Sequence, residues 1–216
     1  MVRYIPLKGP GSGEVSGMLN DVKSVPGTCF FIDLYRSTAI KYKIPAKEWI
    51  TRFHHTFSFI SFLNDFPDNI VKGIGDELML YIPDEELKQK SAYNSHFALL
   101  EEIHATLFNI IHFPVEDQFL NCKVAIHYCQ DAYNISFFRG MNDFYGKDID
   151  LTARLMQLTV ENRIVLSEKF YEKVKENLAA SGQPPVAGCL ASVSETFLEQ
   201  FKGIPFPVGY RYIDVE

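Results

Sequence analysis

Apolar and polar positions along this chain alternate between two periods. Cys29-Phe30-Phe31-Ile32-Asp33-Leu34 is an apolar run interrupted only by Asp33, the pattern of a buried strand, and it runs into the polar Tyr35-Arg36-Ser37-Thr38. From Pro45 to Leu63 the period lengthens. Trp49, Phe53, Phe57 and Ile60 fall on one face of a helix, and Pro45 suits its first turn. Ile70 to Ile82 returns to strand character on both sides of Gly75-Asp76, a two-residue hairpin signal. Pro83 and the charged run Asp84–Lys90 close that hairpin.

Tyr93 to His112 is a second amphipathic helix, with Phe97, Leu100, Ile103, Leu107, Ile110 and Ile111 inward and His96, His104 and His112 as partly exposed flanks. Lys123–Cys129 alternates as a strand, and Ala132–Arg139 is expected to be another. A helix over Asp148–Thr159 follows, then a short strand at Arg163–Leu166. Ser167 N-caps a helix to Leu178, and a last strand covers Gly209–Val215. Residues 1–27 are an irregular lead-in with a short strand at Val2–Tyr4, and residues 28–216 form one domain. The order predicts an α+β fold, one sheet with helices on a face.

A chain of 216 residues suits one substantial domain, and 47% hydrophobic with 22% charged residues is ordinary globular composition. No apolar run approaches the ~20 residues of a membrane span, and the start of the chain lacks an apolar signal segment. Cys29, Cys122, Cys129 and Cys189 have no metal-ligand spacing and suit free thiols in a reducing cytosol, so a cytoplasmic location is expected. A net charge of −6 argues against broad nucleic-acid binding. A nucleotide stays possible, because metals can neutralise its phosphates.

Two carboxylates carry the candidate chemistry. Asp33 ends a buried strand and Asp76 sits at a hairpin tip. Such a pair can hold Mg²⁺ or Mn²⁺, which prefer oxygen and are completed by substrate phosphates. The plain alternative is that both are turn formers, as Asp often is.

The ordered set of motifs resembles the class III nucleotidyl cyclase catalytic domain. Phe31-Ile32-Asp33-Leu34 is similar to its F-x-D-I strand end and Lys72-Gly73-Ile74-Gly75-Asp76 to its K-x-x-G-D hairpin. Val124-Ala125-Ile126-His127, Asp143-Phe144-Tyr145-Gly146, Ala153-Arg154-Leu155 and Ile164-Val165-Leu166-Ser167 follow in the family's order, and Phe201-Lys202-Gly203-Ile204 with Pro207-Val208 matches its end. The resemblance implies a ferredoxin-like fold with a central, mainly antiparallel sheet and flanking helices. It also implies conversion of a nucleoside triphosphate to a 3′,5′-cyclic mononucleotide plus pyrophosphate. By matching positions Asp33, Asp76 and the Leu34 carbonyl would hold two divalent ions, Mg²⁺ or Mn²⁺. Arg154 would stabilise developing phosphate charge, and Lys72 with Asp143 would read the base. The family works as a dimer with sites at the interface, so a homodimer is expected.

Two departures stand out. Asp150 occupies the place of the family's ribose-orienting Asn; a carboxylate only accepts where an amide also donates. It also lies four residues before Arg154 on one helix, so the two can simply pair. Arg36 replaces the family's glycine, beside bulky Tyr35. The Tyr35-Arg36-Ser37-Thr38 loop looks like that of the bacterial pyrimidine cyclases of the Pycsar anti-phage system. That resemblance implies a substrate pocket remodelled by Tyr35 and Arg36, cyclic CMP or cyclic UMP as product, and a separate effector that reads it. Alternatives are an adenylate cyclase, read from Lys72 and Asp143, and a catalytically silent cyclase-fold module that binds nucleotide. A diguanylate-cyclase relative is disfavoured by the absence of GG[DE][EF], the turn here being Ile74-Gly75-Asp76-Glu77.

Overall fold

The computed structural model describes residues 2–7, 19–63, 67–113, 118–182, 184 and 188–216. The Gly-rich part of the lead-in, from Lys8 to Ser16, lies outside them. Strand β1 (Arg3–Tyr4) precedes β2 (Gly27–Leu34), helices α1 (Ser37–Lys43) and α2 (Ala46–Leu63), and the hairpin β3 (Ile70–Ile74) and β4 (Glu77–Pro83). Short α3 (Asp84–Leu87), long α4 (His96–Ile111), β5 (Cys122–Cys129) and β6 (Ile135–Ser136) follow. The chain ends with α5 (Lys147–Leu155), β7 (Arg163–Ser167), α6 (Glu168–Ser181), β8 (Phe197–Glu199) and β9 (Val208–Asp214).

Seven strands form one sheet in the order β3-β4-β2-β5-β7-β9-β8. Only β5 and β7 pair in parallel within it. The alternation of β2 explains the two cores. Phe30, Ile32 and Leu34 enter the side covered by α2, α4 and α6, where Ile60, Leu99, Ile103, Phe170 and Val174 are buried. Cys29 and Phe31 enter the other side with Met79, Tyr81, Ala125 and Val165, covered by Ile149 and Leu155 of α5. Each fully buried aliphatic or aromatic side chain contributes about 1.5–3 kcal/mol, so both faces help to hold the sheet. Asp33 follows Phe31 by two residues and therefore belongs to the α5 side.

Four expectations need correction. Helices cover both faces of the sheet, not one, because β2 and β5 are buried at both parities. Ala132–Arg139 is not a full strand: Ile135–Ser136 pairs in parallel with β1, and Tyr133 makes a single bridge to Tyr145. Ser37 and Thr38, read as loop, open α1, which has Lys41 and Lys43 in its last turn, where cations suit the helix dipole. His96 is 8% exposed rather than flanking, because its ring meets Asn177 and packs edge-on to Tyr128 and Phe170. The four cysteines are free and buried.

Candidate active site

Sheet register brings the two candidate carboxylates to one end of the α5 face. Asp33 lies opposite Glu77 of β4 on one side and Lys123 of β5 on the other. The ladder runs on past the strand end, where the Leu34 N–H donates to the Asp76 carbonyl at 3.2 Å. Gly75 makes the tight turn possible with φ 69°, a left-handed conformation that costs glycine little. Asp76 is thereby held beside the end of β2.

Lysines balance these charges. Lys123 Nζ is 2.9 Å from Asp33 Oδ2, and Lys41 Nζ is 4.0 Å from Asp76 Oδ1. Ser37 Oγ donates to Asp76 Oδ2. Ser37 and Lys41 are one helical turn apart on α1, so one face of that helix serves Asp76. Glu77 is the third acid of the cluster. Burial, reinforced by the Asp33 and Asp76 charges and opposed by Lys123, pushes its carboxyl up to about 7. Asp33 and Asp76 are each met by a single ammonium, and their charges help burial to hold a proton on Glu77, so the cluster is short of positive charge.

That shortage is what a divalent cation would relieve, and the donor set is all oxygen, so Asp33, Asp76 and the Leu34 carbonyl fit Mg²⁺ or Mn²⁺. Among the described residues no three His, Cys, Asp or Glu side chains converge as a ready-made cage. Such a site needs further oxygens from a ligand, as phosphates provide.

The second constellation lies at the sheet edge. Lys72 of β3 contacts both oxygens of Asp143, at 2.7 and 3.0 Å, although the two are 71 residues apart. Asp143 Oδ1 also accepts from the Phe144 N–H at 2.8 Å, and the Lys72 ammonium lies 5.9 Å from the Tyr145 ring centre. The Phe144 ring stacks on Tyr81 at 4.0 Å, which anchors this loop to the core.

Helix α5 presents Asp150 and Arg154, both exposed. No ion pair joins them among the described residues, so the structure does not show the simple i,i+4 pairing. The helix is anchored from beneath by Asp148. Asp148 Oδ2 accepts from the N–H groups of Gln130 and Asp131 at 2.6 and 2.8 Å and from Lys169 at 3.2 Å. His127 Nε2 lies 3.3 Å from Asp148 Oδ1, and His127 Nδ1 lies 2.7 Å from Ser167 Oγ. Burial alone would raise the Asp148 carboxyl; His127 and the two backbone donors outweigh it and hold it well below the usual carboxylate range. Burial holds the His127 imidazole down, toward the neutral form. Gly146 sits where α5 meets the end of β5, with φ 152°, and a Cβ there would overlap the Asp131 carbonyl.

The turn after β2 divides. Ser37 reaches Asp76, but Tyr35 and Arg36 line a groove on the opposite face of α1, whose lining includes none of Asp33, Asp76, Lys72, Asp143 or Arg154. Arg36 keeps a left-handed φ of 54°, which explains why glycine suits this position. Thr38 is exposed on the same turn. Sequence reasoning missed Lys41, Lys123, Glu77 and Asp148. The i,i+4 spacing of Ser37 and Lys41 was a usable signal; the others depend on strand register.

No protein-family model matches the sequence, and no curated protein matches it. Solved structures do match in fold. The guanylyl cyclase Cya2 superposes with a TM-score of 0.66 at 15% identity over 89% of this chain and 93% of that one. The adenylyl cyclase CyaB from P. aeruginosa gives 0.63 at 14% identity, over 89% and 95%. This chain has the class III cyclase fold. The catalytic core of a rhodopsin-guanylyl cyclase with converted specificity, in complex with ATPαS, also matches, with a TM-score of 0.63 at 13% identity over 91% and 99%.

Proposed function

We propose that the chain is a nucleotidyl cyclase that converts a nucleoside triphosphate to a 3′,5′-cyclic mononucleotide and pyrophosphate. The observation that carries this reading is the Asp33–Asp76 cluster, all-oxygen and short of positive charge, at one end of a class III cyclase sheet. The ribose 3′-hydroxyl attacks the α-phosphate in line and expels pyrophosphate. Two divalent ions, when bound by Asp33, Asp76 and the Leu34 carbonyl, would lower the hydroxyl's pKa and neutralise the leaving group. Ser37 and Lys41 orient Asp76, and Lys123 shares Asp33. Ser37 and Thr38 border the phosphates, while Tyr35 and Arg36 face the separate groove behind α1. Arg154 and Asp150 are exposed, as residues that complete a partner protomer's site must be. The working unit is a homodimer with two equivalent sites at its interface.

For the base, the likeness of Tyr35-Arg36-Ser37-Thr38 to the pyrimidine cyclases supports a pyrimidine nucleotide, with cyclic CMP or cyclic UMP read by a separate effector in anti-phage signalling. The Lys72–Asp143 pair favours a second reading, an adenylate cyclase, since an ammonium and a carboxylate together match a donor and acceptor on the adenine edge. Among the described residues no helix is long and apolar enough to cross a membrane.

The test is to incubate the protein with ATP, GTP, CTP and UTP separately, with Mn²⁺ and with Mg²⁺, and to identify products by mass spectrometry beside Asp76→Asn. Cyclic CMP or cyclic UMP lost in the variant supports the pyrimidine reading. Cyclic AMP transfers the assignment to the Lys72–Asp143 reading. No product from any triphosphate, by dimeric protein that binds Mn²⁺, would refute the enzyme in favour of a silent nucleotide-binding module.

A further inference from the structure

The groove behind α1 has a composition that the cyclase site does not explain. Its volume is about 550 Å³, within the usual range of small-molecule pockets. Among the described residues the lining carries Arg36 and Lys43 of the α1 segment as cations against Glu161 as the acid, with Arg52 of α2 beside them. Glu161 Oε1 already accepts from the Asn121 side-chain amide at 2.7 Å. Arg36 and Lys43 have no ion-pair partner among the described residues. In a chain of net charge −6, this local surplus of positive charge draws in an anion.

The walls are aromatic. The Arg36 guanidinium lies 5.0 Å from the centre of the Tyr35 ring. Phe119, at the far wall, is braced by Phe59 at a centroid distance of 5.0 Å. Arg36 takes its place at φ 54°, a left-handed conformation that strains a non-glycine residue. Such strain gathers where a side chain is needed. The 3.6-residue period separates this groove from the metal-site face: Ser37 and Lys41 turn to Asp76, while Arg36, Ile40 and Lys43 turn to the groove.

We propose that this groove is a second binding site, for a nucleotide whose phosphate is held by Arg36 and Lys43 and whose base packs against Tyr35 and Phe119. The site is separate from the cyclase reading and stands without it.

The test uses full-length Asp76→Asn protein in EDTA, so that neither metal nor turnover contributes. AMP and CMP are titrated by calorimetry, with inorganic phosphate as the control probe. Saturable binding of a mononucleotide, tighter than phosphate, is expected. It should weaken at least tenfold on adding Arg36→Gly, which leaves the left-handed turn unstrained, and on adding Lys43→Gln. It should be unchanged on adding Lys72→Gln. Absence of saturable binding overturns the proposal, as does affinity no better than that of phosphate. Indifference to both Arg36→Gly and Lys43→Gln overturns it, and so does an equal loss in Lys72→Gln, which would place the ligand at the other constellation. None of these outcomes bears on whether the metal-loaded protein is a cyclase.

Discussion

Replacing Asp148 tests whether α5 is held by the buried network beneath it. The carboxylate is 7% exposed and meets two backbone N–H groups, His127 and Lys169. Hydrogen bonds to charged groups contribute about 1.5–3 kcal/mol, against about 0.5–1.5 for neutral ones. Asp148→Asn keeps an oxygen for Gln130 and Asp131 but loses the charge. Lys169 is 36% exposed and returns to water at little cost. The loss is therefore about 2 kcal/mol. Asp148→Ala also strands two backbone donors and the His127 ring, and should cost about 4 kcal/mol, a large share of a typical total of about 5–15. Urea unfolding followed by circular dichroism reads both as a lower midpoint at unchanged slope. The sign of the pH dependence follows from a folded-state pKa depressed below the unfolded value of 3.8. The stabilisation by this charge is fully present above that value and is lost as pH falls through the folded pKa. The gap between wild type and Asp148→Asn should hold from pH 7 to 5 and narrow below about 4. A gap under about 0.5 kcal/mol at pH 7, or one that widens on acidification, refutes the anchoring role.

Other expectations follow from the same geometry. Glu77, with its carboxyl raised from 4.5 to about 7, contributes stability that is complete below 4.5 and lost as pH rises through 7. In EDTA, Glu77→Gln should therefore melt higher than wild type at pH 8, by about 1 kcal/mol after allowance for solvent screening, and equal it near pH 4; a lower melt at pH 8 contradicts this. Lys123→Gln removes the ammonium that competes for Asp33 and should bind Mn²⁺ several-fold tighter by electron paramagnetic resonance; weaker binding shows that the lysine helps to build the site. Gly146→Ala forces a Cβ into the Asp131 carbonyl and should cost at least about 2 kcal/mol by thermal melting, so a neutral result disproves the close approach. If the sites are shared between protomers, inactive Asp76→Asn and inactive Arg154→Ala should regain up to about a quarter of wild-type turnover on mixing, and no recovery argues that each site is complete within one chain.

Local chemistry made much of the architecture legible. Ile70–Ile82 reads as a hairpin because a Gly-Asp pair between apolar runs has one comfortable conformation, and the structure has it with Gly75 at φ 69°. The face of α2 that carries Phe53 and Ile60 was readable from the helical period. Ser167 was readable as an N-cap, and it accepts from the Phe170 N–H at 3.1 Å. Misreadings occurred where partners outweigh local pattern. Ala132–Arg139 has strand-like residues, but β1 offers only two residues to pair with. His96 shares its spacing with His104 and His112, yet α6 and β5 bury it alone through Asn177 and Tyr128.

The sequence by itself determined the longer helices and strands and their order, and that Asp33 and Asp76 each stand where a strand ends. Those properties depend on φ/ψ preference and side-chain period, which neighbours along the chain dictate. Only the tertiary structure decided what each carboxylate meets. Antiparallel register set Asp33 between Glu77 and Lys123, and α1 turned Ser37 and Lys41 toward Asp76 while sending Arg36 and Lys43 into a separate groove. Contacts such as Lys72 with Asp143 join residues 71 positions apart. They exist because burial on both faces of the sheet fixes every strand's register, and a slip of one residue would send these side chains to the opposite face.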